Sequence, residues 1–104
     1  MLGLRPFLYL SLQGGRFALS MRDTHWLLAE LIPGDRPASE TQAVIAGMRI
    51  QQASKSGRGR QLSLRDADAA AVLAALDRGE QRGELTRRLY ALQLALREIR
   101  AAET

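Results

Sequence analysis

Hydrophobic positions in the first part of the chain alternate in the manner of short strands. Two apolar runs flank a Gly-Gly pair, and in the second run Phe17, Leu19 and Met21 fall on one side while the intervening positions are polar or small. That alternation is typical of a strand with one buried face, and two glycines supply the positive φ angles that a tight turn needs. We therefore predict a β-hairpin over residues 7–21, with an N-terminal helix as the alternative.

Beyond the hairpin, hydrophobic residues recur at the spacing of amphipathic helices. A proline-glycine pair ends the first helix, and Ser39 with Gln42 forms the pattern of a capping box that opens the second. Gly47 weakens the second helix by about 1 kcal/mol relative to alanine. If the two halves of the chain are duplicates, an alternative for this region is a second hairpin with strands at residues 49–52 and 60–64. The predicted helices span residues 23–32, 39–53, 64–78 and 84–101.

A five-residue pattern occurs twice and organises both halves of the chain. Leu19-Ser20-Met21-Arg22-Asp23 returns as Leu62-Ser63-Leu64-Arg65-Asp66, and each copy opens an apolar segment that ends in a leucine. The pattern describes an extended entry, a side chain that can cap a helix, and acidic charge at the positive end of that helix. The chain is predicted to form a single, mainly helical α+β domain of 104 residues, and the repeat is consistent with an internal ββα-type duplication.

The segment 84–101 carries the longest hydrophobic pattern, with apolar residues spaced by four, three, four and three as in a heptad seam. The seam either packs on helices of its own chain or forms a homodimer, and Tyr90, Leu94 and Ala95 widen the apolar surface beyond one stripe. Trp26 is a further candidate anchor for a partner protein. The candidate partner interface consists of Trp26, Leu85, Leu89, Leu92, Leu96 and Ile99.

Positive charge is concentrated in the middle of the chain. The net charge is +4, and the cations are fourteen arginines and one lysine. No acidic residue lies between Glu40 and Asp66, and residues 54–61 are predicted to form a basic loop. Arginines on such a loop could contact phosphates, although a charge run is more often a solvated surface. The candidate nucleic-acid contacts are Arg49, Lys55, Arg58, Arg60 and Arg65.

Residues that could carry catalytic chemistry are few. The chain has no cysteine and one histidine, which excludes disulfides, thiolate zinc sites and thiol catalysis. His25 has no partner at a ligand-like spacing, and Asp66 with Asp68 fits the positive end of a helix better than a catalytic pair. Neither a phosphate-binding fingerprint nor a nucleophile elbow occurs in the sequence. We expect no enzymatic activity, no metal and no cofactor.

The hydropathy pattern predicts neither a membrane span nor an export signal. The apolar run that follows Arg5 breaks after about six residues, whereas a signal peptide has roughly 7 to 15. No stretch approaches the roughly 20 apolar residues of a membrane span. With 46% apolar and 25% charged residues, the chain has the composition of a globular domain. We expect a cytoplasmic protein.

These patterns predict a small binding protein of a kind found in bacteria and phages. The first hypothesis is a non-enzymatic interaction module that forms a homodimer and serves as an adaptor, regulator or inhibitor of a larger protein or complex. The alternative is a nucleic-acid-binding regulator that uses the Arg-rich segment 49–65. The wide apolar surface of the segment 84–101 favours the first hypothesis.

Overall fold

Three strands and four helices build the fold, and the computed structural model describes residues 5–13, 15–33, 41–56 and 60–102. The elements are β1 (Leu8–Leu12), β2 (Gly15–Leu19), α1 (Met21–Leu31), α2 (Gln42–Ser54), β3 (Gln61–Ser63), α3 (Asp66–Gln81) and α4 (Arg87–Ala102). The mixed α+β class, the N-terminal hairpin and the long last helix are confirmed. In the described part of the chain, every helix is too short or too polar to cross a membrane.

The sheet has the strand order β2-β1-β3. β1 and β2 pair antiparallel as a hairpin, with Leu8 opposite Leu19. β3 joins the other edge of β1 in parallel, with Leu62 beside Leu10. Leu8, Leu10 and Leu19 are fully buried, so the hairpin presents one face to the core as the alternation predicts. The alternative of an N-terminal helix is wrong.

α1 starts at Met21, earlier than predicted, because Ser20 caps it. The Asp23 N–H donates to Ser20 Oγ at 3.0 Å, and the Ser20 N–H donates to Asp23 Oδ2 at 3.3 Å. These reciprocal hydrogen bonds form a capping box. Met21 therefore leaves the strand face on which the hydrophobic alternation placed it, and its side chain is exposed. The helix ends at Leu31, just ahead of the predicted proline-glycine stop.

The segment that follows folds as helix α2, so the alternative strand at residues 49–52 is wrong. Thr41 caps this helix, because its Oγ1 accepts the Val44 N–H at 3.2 Å. The predicted cap, Ser39, lies outside the described residues. The predicted loop 54–61 is shorter than expected, since α2 takes its first residue and β3 its last. In the described part of the second half, one strand, β3, precedes the helix α3, whereas two strands precede α1 in the first half. β3 pairs with β1 rather than with a strand of its own half.

Glycines in the helices mark close contacts rather than helix ends. A Cβ at Gly47 would lie 2.5 Å from Ile32 Cγ1, and a Cβ at Gly79 would lie 2.3 Å from Trp26 Cζ2. α3 runs on through Gly79, where the sequence pattern placed its end, and the missing Cβ there lets the tryptophan ring approach the helix. Gly83, with a φ of 68°, follows the helix in the left-handed conformation that glycine accepts readily.

The start of α3 is displaced from the position that the repeated pattern predicts. Ser63 is the last residue of β3, and Arg65 takes the N-cap position of the helix. Asp68 is the third helical residue, and its side chain reaches back towards the Arg65 N–H. The structural counterpart of Asp23 in the second half is therefore Asp68, although the sequence pattern aligns Asp23 with Asp66.

α4 packs its heptad seam against the rest of its own chain. The helix begins at Arg87 rather than at residue 84, because Thr86 Oγ1 accepts the Leu89 N–H at 3.3 Å and so caps it. Leu89, Leu92 and Leu96 are buried. The core that they join also contains Leu8, Leu10, Leu19, Leu27, Leu31, Ile50, Val72, Leu73, Ala75 and Leu76.

Candidate functional site

A buried carboxylate, Asp68, joins α2 to α3 and binds two of the predicted nucleic-acid contacts. Arg49 forms an ion pair with Asp68 Oδ2, and Arg65 Nε lies 3.3 Å from the same oxygen. Gln42 Nε2 donates to Asp68 Oδ1 at 3.3 Å. Because Asp68 is fully buried, guanidinium groups rather than water stabilise its charge. Asp66 is exposed, so the two neighbouring acids of this helix start have different surroundings.

The second buried carboxylate, Asp23, joins α1 to the start of α4. Thr86 Oγ1 donates to Asp23 Oδ1 at 2.8 Å, and the Ser20 N–H donates to Oδ2 at 3.3 Å. Thr86 in turn accepts the first amide hydrogen bond of α4 from Leu89. Both oxygens of Asp23 are thus occupied by groups that set the helix starts, which is a structural role.

Trp26 connects α1 with the turn after α3. Its Nε1 donates to Glu84 Oε1 at 2.9 Å, and its ring packs beside Gly79 at the edge of the core. Arg82 Nη2 donates to the same Glu84 oxygen at 2.9 Å and also pairs with Glu30 of α1. The hydrogen bond from Arg82 and then that from Trp26 lower the pKa of Glu84 below its ordinary value. This candidate partner anchor is therefore half-buried and already ties α1 to α3.

α4 exposes a second stripe on the side away from the core. Tyr90 and Leu94 are 43% and 59% exposed, although both are large. The residues of the predicted interface lie elsewhere, since Leu85 and Ile99 are half-buried and the other three leucines of the seam are in the core. The residues of the stripe, termed the outer face of α4, are Arg87, Tyr90, Ala91, Leu94 and Glu98, and all of them are exposed.

The remaining predicted nucleic-acid contacts, Lys55, Arg58 and Arg60, have different surroundings. Lys55 is the exposed C-cap residue of α2, and Arg58 lies outside the described residues. Arg60 is held on two sides, because its guanidinium lies 4.3 Å from the Phe7 ring centroid and its carbonyl accepts the Tyr9 N–H at 2.8 Å. Of the predicted nucleic-acid contacts, Arg60 is thus fixed to the sheet and makes no ion pair with a described acidic residue.

Arg60 faces a cleft that the sequence does not predict. This cleft has a volume of about 780 Å³ and lies where the segment before β1, the start of α1 and the residue before β3 meet. Three arginines and the single histidine of the chain line it, and within the described ranges no acidic residue does so. The lining residues of this basic cleft are Arg5, Pro6, Phe7, Ser20, Met21, Arg22, His25 and Arg60.

No described residue that lines the basic cleft carries a negative charge. Arg5, Arg22 and Arg60 make no ion pair with any residue that the structure describes. The acid nearest in sequence, Asp23, is buried and bonded to Thr86. The first amides of α1 add the partial positive charge of a helix N-terminus. An anion that enters this cleft would therefore meet positive charge from several directions.

Among the described residues, no group of three or more His, Asp or Glu side chains is arranged to hold a metal ion. Comparisons with models of protein families, with curated proteins and with solved structures find no match for this chain. What the chain binds is therefore inferred from its own surfaces.

Proposed function

We propose that the chain is a small non-enzymatic protein-interaction module that associates with a second copy of itself and occupies the surface of a larger protein or complex. The outer face of α4 carries this proposal. The helix contributes buried leucines to the core and yet keeps Tyr90 and Leu94 about one turn apart on its solvent side. Large apolar residues that adjoin on an exposed helix face are typical of a surface that another helix covers.

The outer face of α4 is self-complementary in charge. Arg87 lies at its start and Glu98 near its end, with Ala91 and Leu94 between them at heptad spacing. In the described part of the chain, neither Arg87 nor Glu98 makes an ion pair. Two copies packed antiparallel would place Arg87 of each copy beside Glu98 of the other, as a two-fold axis requires. The occupant proposed for this face is therefore a second copy of the chain.

The state of the buried acids supports a non-enzymatic role. Of the carboxylates that the structure describes, Asp23 and Asp68 are the most removed from water, and buried carboxylates are the usual candidates for general acid or base chemistry. Each is already bonded within the fold, Asp23 to Thr86 and Asp68 to Arg49.

The sequence contains no cysteine, which favours a cytoplasmic location for the proposed module.

The molar mass of the protein, measured by light scattering over a concentration series, tests the self-association. We expect the wild type to pass from monomer to dimer as concentration rises, and Leu94→Glu to stay monomeric over the same range. Met48→Glu is the matched control, because Met48 is 58% exposed and lies on α2. A wild type that stays monomeric, or an equal loss of dimer in both variants, contradicts the proposal.

A charge exchange tests the antiparallel arrangement. Arg87→Glu should weaken the dimer at low salt, and the second change Glu98→Arg should restore it. Acidic charge at a helix start favours the helix, so a loss of dimer in Arg87→Glu does not reflect unfolding of α4. A double variant that dimerises no better than Arg87→Glu would refute the antiparallel pairing.

The nucleic-acid alternative stays a prediction for the segment 49–65. Arg49 and Arg65 are bonded to Asp68, so they would have to leave a buried acid before they could contact phosphates. The observation that favours a nucleic-acid role lies instead in the basic cleft, to which this segment contributes Arg60.

A further inference from the structure

We propose that the basic cleft binds single-stranded nucleic acid, with Arg5 and Arg22 on the phosphates and a base stacked on Arg60. The site is independent of the association proposed for α4, because no residue of that helix lines the cleft.

The arginines that line the cleft come together without an acidic partner among the described residues, unlike several other surface arginines. Arg78, Arg82 and Arg97 each lie within ion-pair distance of an aspartate or glutamate. Arg22 and Arg60 have no such partner among the described residues. Like charges that converge on one cleft repel each other, and an anion that binds between them relieves the repulsion. The unpaired cations therefore indicate an anionic ligand.

Arg60 is placed by the sheet before any ligand arrives. The Phe7 N–H donates to the Leu19 carbonyl at 2.7 Å, and the Tyr9 N–H donates to the Arg60 carbonyl at 2.8 Å. The strand thus fixes both the ring and the arginine whose guanidinium lies 4.3 Å from the ring centroid. A guanidinium over an aromatic ring can still donate from its N–H edge and take a base on its opposite face. This geometry supplies the aromatic contact that the predicted basic loop lacks.

The start of α1 forms another part of the cleft wall. Arg22 and His25 are one helical turn apart, and both line the cleft. The capping box of Ser20 and Asp23 fixes this helix start and takes up the third amide of the helix. The first two amides, those of Met21 and Arg22, have no acceptor within the helix. Phosphate oxygens suit such a helix start when arginines accompany it.

The dimensions and the distribution of charge favour a strand over a small anion. A single phosphate fills only a small part of about 780 Å³. The cations come from three segments of the chain rather than surrounding one point, which suits a ligand with charges along its length. A duplex offers phosphates but keeps its bases stacked internally, whereas a single strand can stack a base on Arg60.

Fluorescence anisotropy of a labelled, mixed-sequence single strand of about 12 nucleotides, titrated with the full chain at several salt concentrations, tests the site. The affinity of the wild type should fall as salt rises. Arg22→Gln and Arg60→Gln should each weaken binding about tenfold and reduce the salt slope by about one. Arg16→Gln is the matched control for Arg60→Gln, because Arg16 lies 4.5 Å from the Tyr9 ring centroid and does not line the cleft.

Competition identifies the chemistry of the ligand. The competitors are the unlabelled strand, its duplex, a mononucleotide, inorganic phosphate and an acidic phosphopeptide. Displacement by the unlabelled strand at the lowest concentration supports the proposal. Stronger displacement by any other competitor overturns it, as does equal weakening in Arg16→Gln and Arg60→Gln, or no binding at low salt. Arg22→Gln keeps the test valid if Arg60→Gln misfolds, because Arg22 is exposed and makes no ion pair in the described part.

Discussion

Replacement of Gly79 by alanine sets two effects of opposite sign against each other. Glycine inside a helix costs about 1 kcal/mol relative to alanine, so helix propensity alone predicts that Gly79→Ala is stabilising. The structure predicts the reverse, because the added Cβ would lie 2.3 Å from Trp26 Cζ2 and 2.8 Å from Leu85 Cδ2. Carbon atoms pack best at about 3.5 to 4.0 Å. The tryptophan, the leucine or the helix must therefore move.

The magnitude follows from how tightly Trp26 is held. Its Nε1 is bonded to Glu84 at 2.9 Å, and its ring packs against the hydrophobic core. Overpacking of this kind costs about 1 to 3 kcal/mol, and contacts with two side chains place Gly79→Ala near the upper end. After about 1 kcal/mol gained in helix propensity is subtracted, we expect the free energy of unfolding to fall by about 2 kcal/mol.

Urea unfolding followed by far-UV circular dichroism and by the fluorescence of the single tryptophan measures this change. Ala74→Gly, at an exposed position of α3, is the control for propensity alone and should cost about 1 kcal/mol. In a protein that already carries Trp26→Leu, Gly79→Ala should lower the free energy of unfolding much less than it does in the wild type. Circular dichroism is the probe for these variants, because they lack the tryptophan. If Gly79→Ala is as stable as the wild type or more stable, steric contact with Trp26 does not determine the choice of glycine.

Two further predictions concern acidic side chains. Asp68→Asn should lower the free energy of unfolding by about 2 kcal/mol, because it removes a charged hydrogen bond to partners that remain partly solvated; a loss below about 1 kcal/mol in urea unfolding contradicts this. The hydrogen bond from Arg82 and then that from Trp26 lower the pKa of Glu84 in the folded state. The ionised Glu84 side chain therefore stabilises the fold fully above its ordinary pKa of about 4.3, and this stabilisation is lost as pH falls through the lower folded-state pKa. The melting temperature of the wild type should therefore exceed that of Glu84→Gln at neutral pH and converge with it below about pH 4; a difference independent of pH would disprove the assignment.

The sequence predicts the elements of this fold where short-range interactions decide them. The alternation of Phe17 and Leu19 depends on neighbouring residues, and it predicts a strand that the structure contains. The same alternation wrongly places Met21 on that strand, because the cap at Ser20 begins α1 there. Gly79 could not be interpreted in this way, because glycine suits both a helix end and a close helix contact. The contact with Trp26, which is far away in the sequence, distinguishes the two.

The heptad seam illustrates a second limit of local patterns. The spacing of Leu89, Leu92 and Leu96 is the same whether the seam packs on its own chain or on another. The apolar surface that the other elements present decides between the two arrangements, and in this fold those elements bury Leu89, Leu92 and Leu96. Tyr90 and Leu94 are the large apolar residues of α4 that stay exposed, so the surface available to a partner lies beside the seam rather than on it.

The basic cleft depends on the pairing of strands that the sequence predicts least well. β3 is short, and nothing local indicates that it lies parallel to β1 rather than in a second hairpin. That pairing carries the Arg60 carbonyl to the Tyr9 N–H and so brings its guanidinium over Phe7. Arg65, which follows the same strand, is directed to Asp68 instead. Two arginines of one basic run thus have opposite roles, one neutralising an internal acid and one adding charge to an open cleft. The net charge of the chain cannot separate these roles, whereas the position of each arginine relative to β3 does.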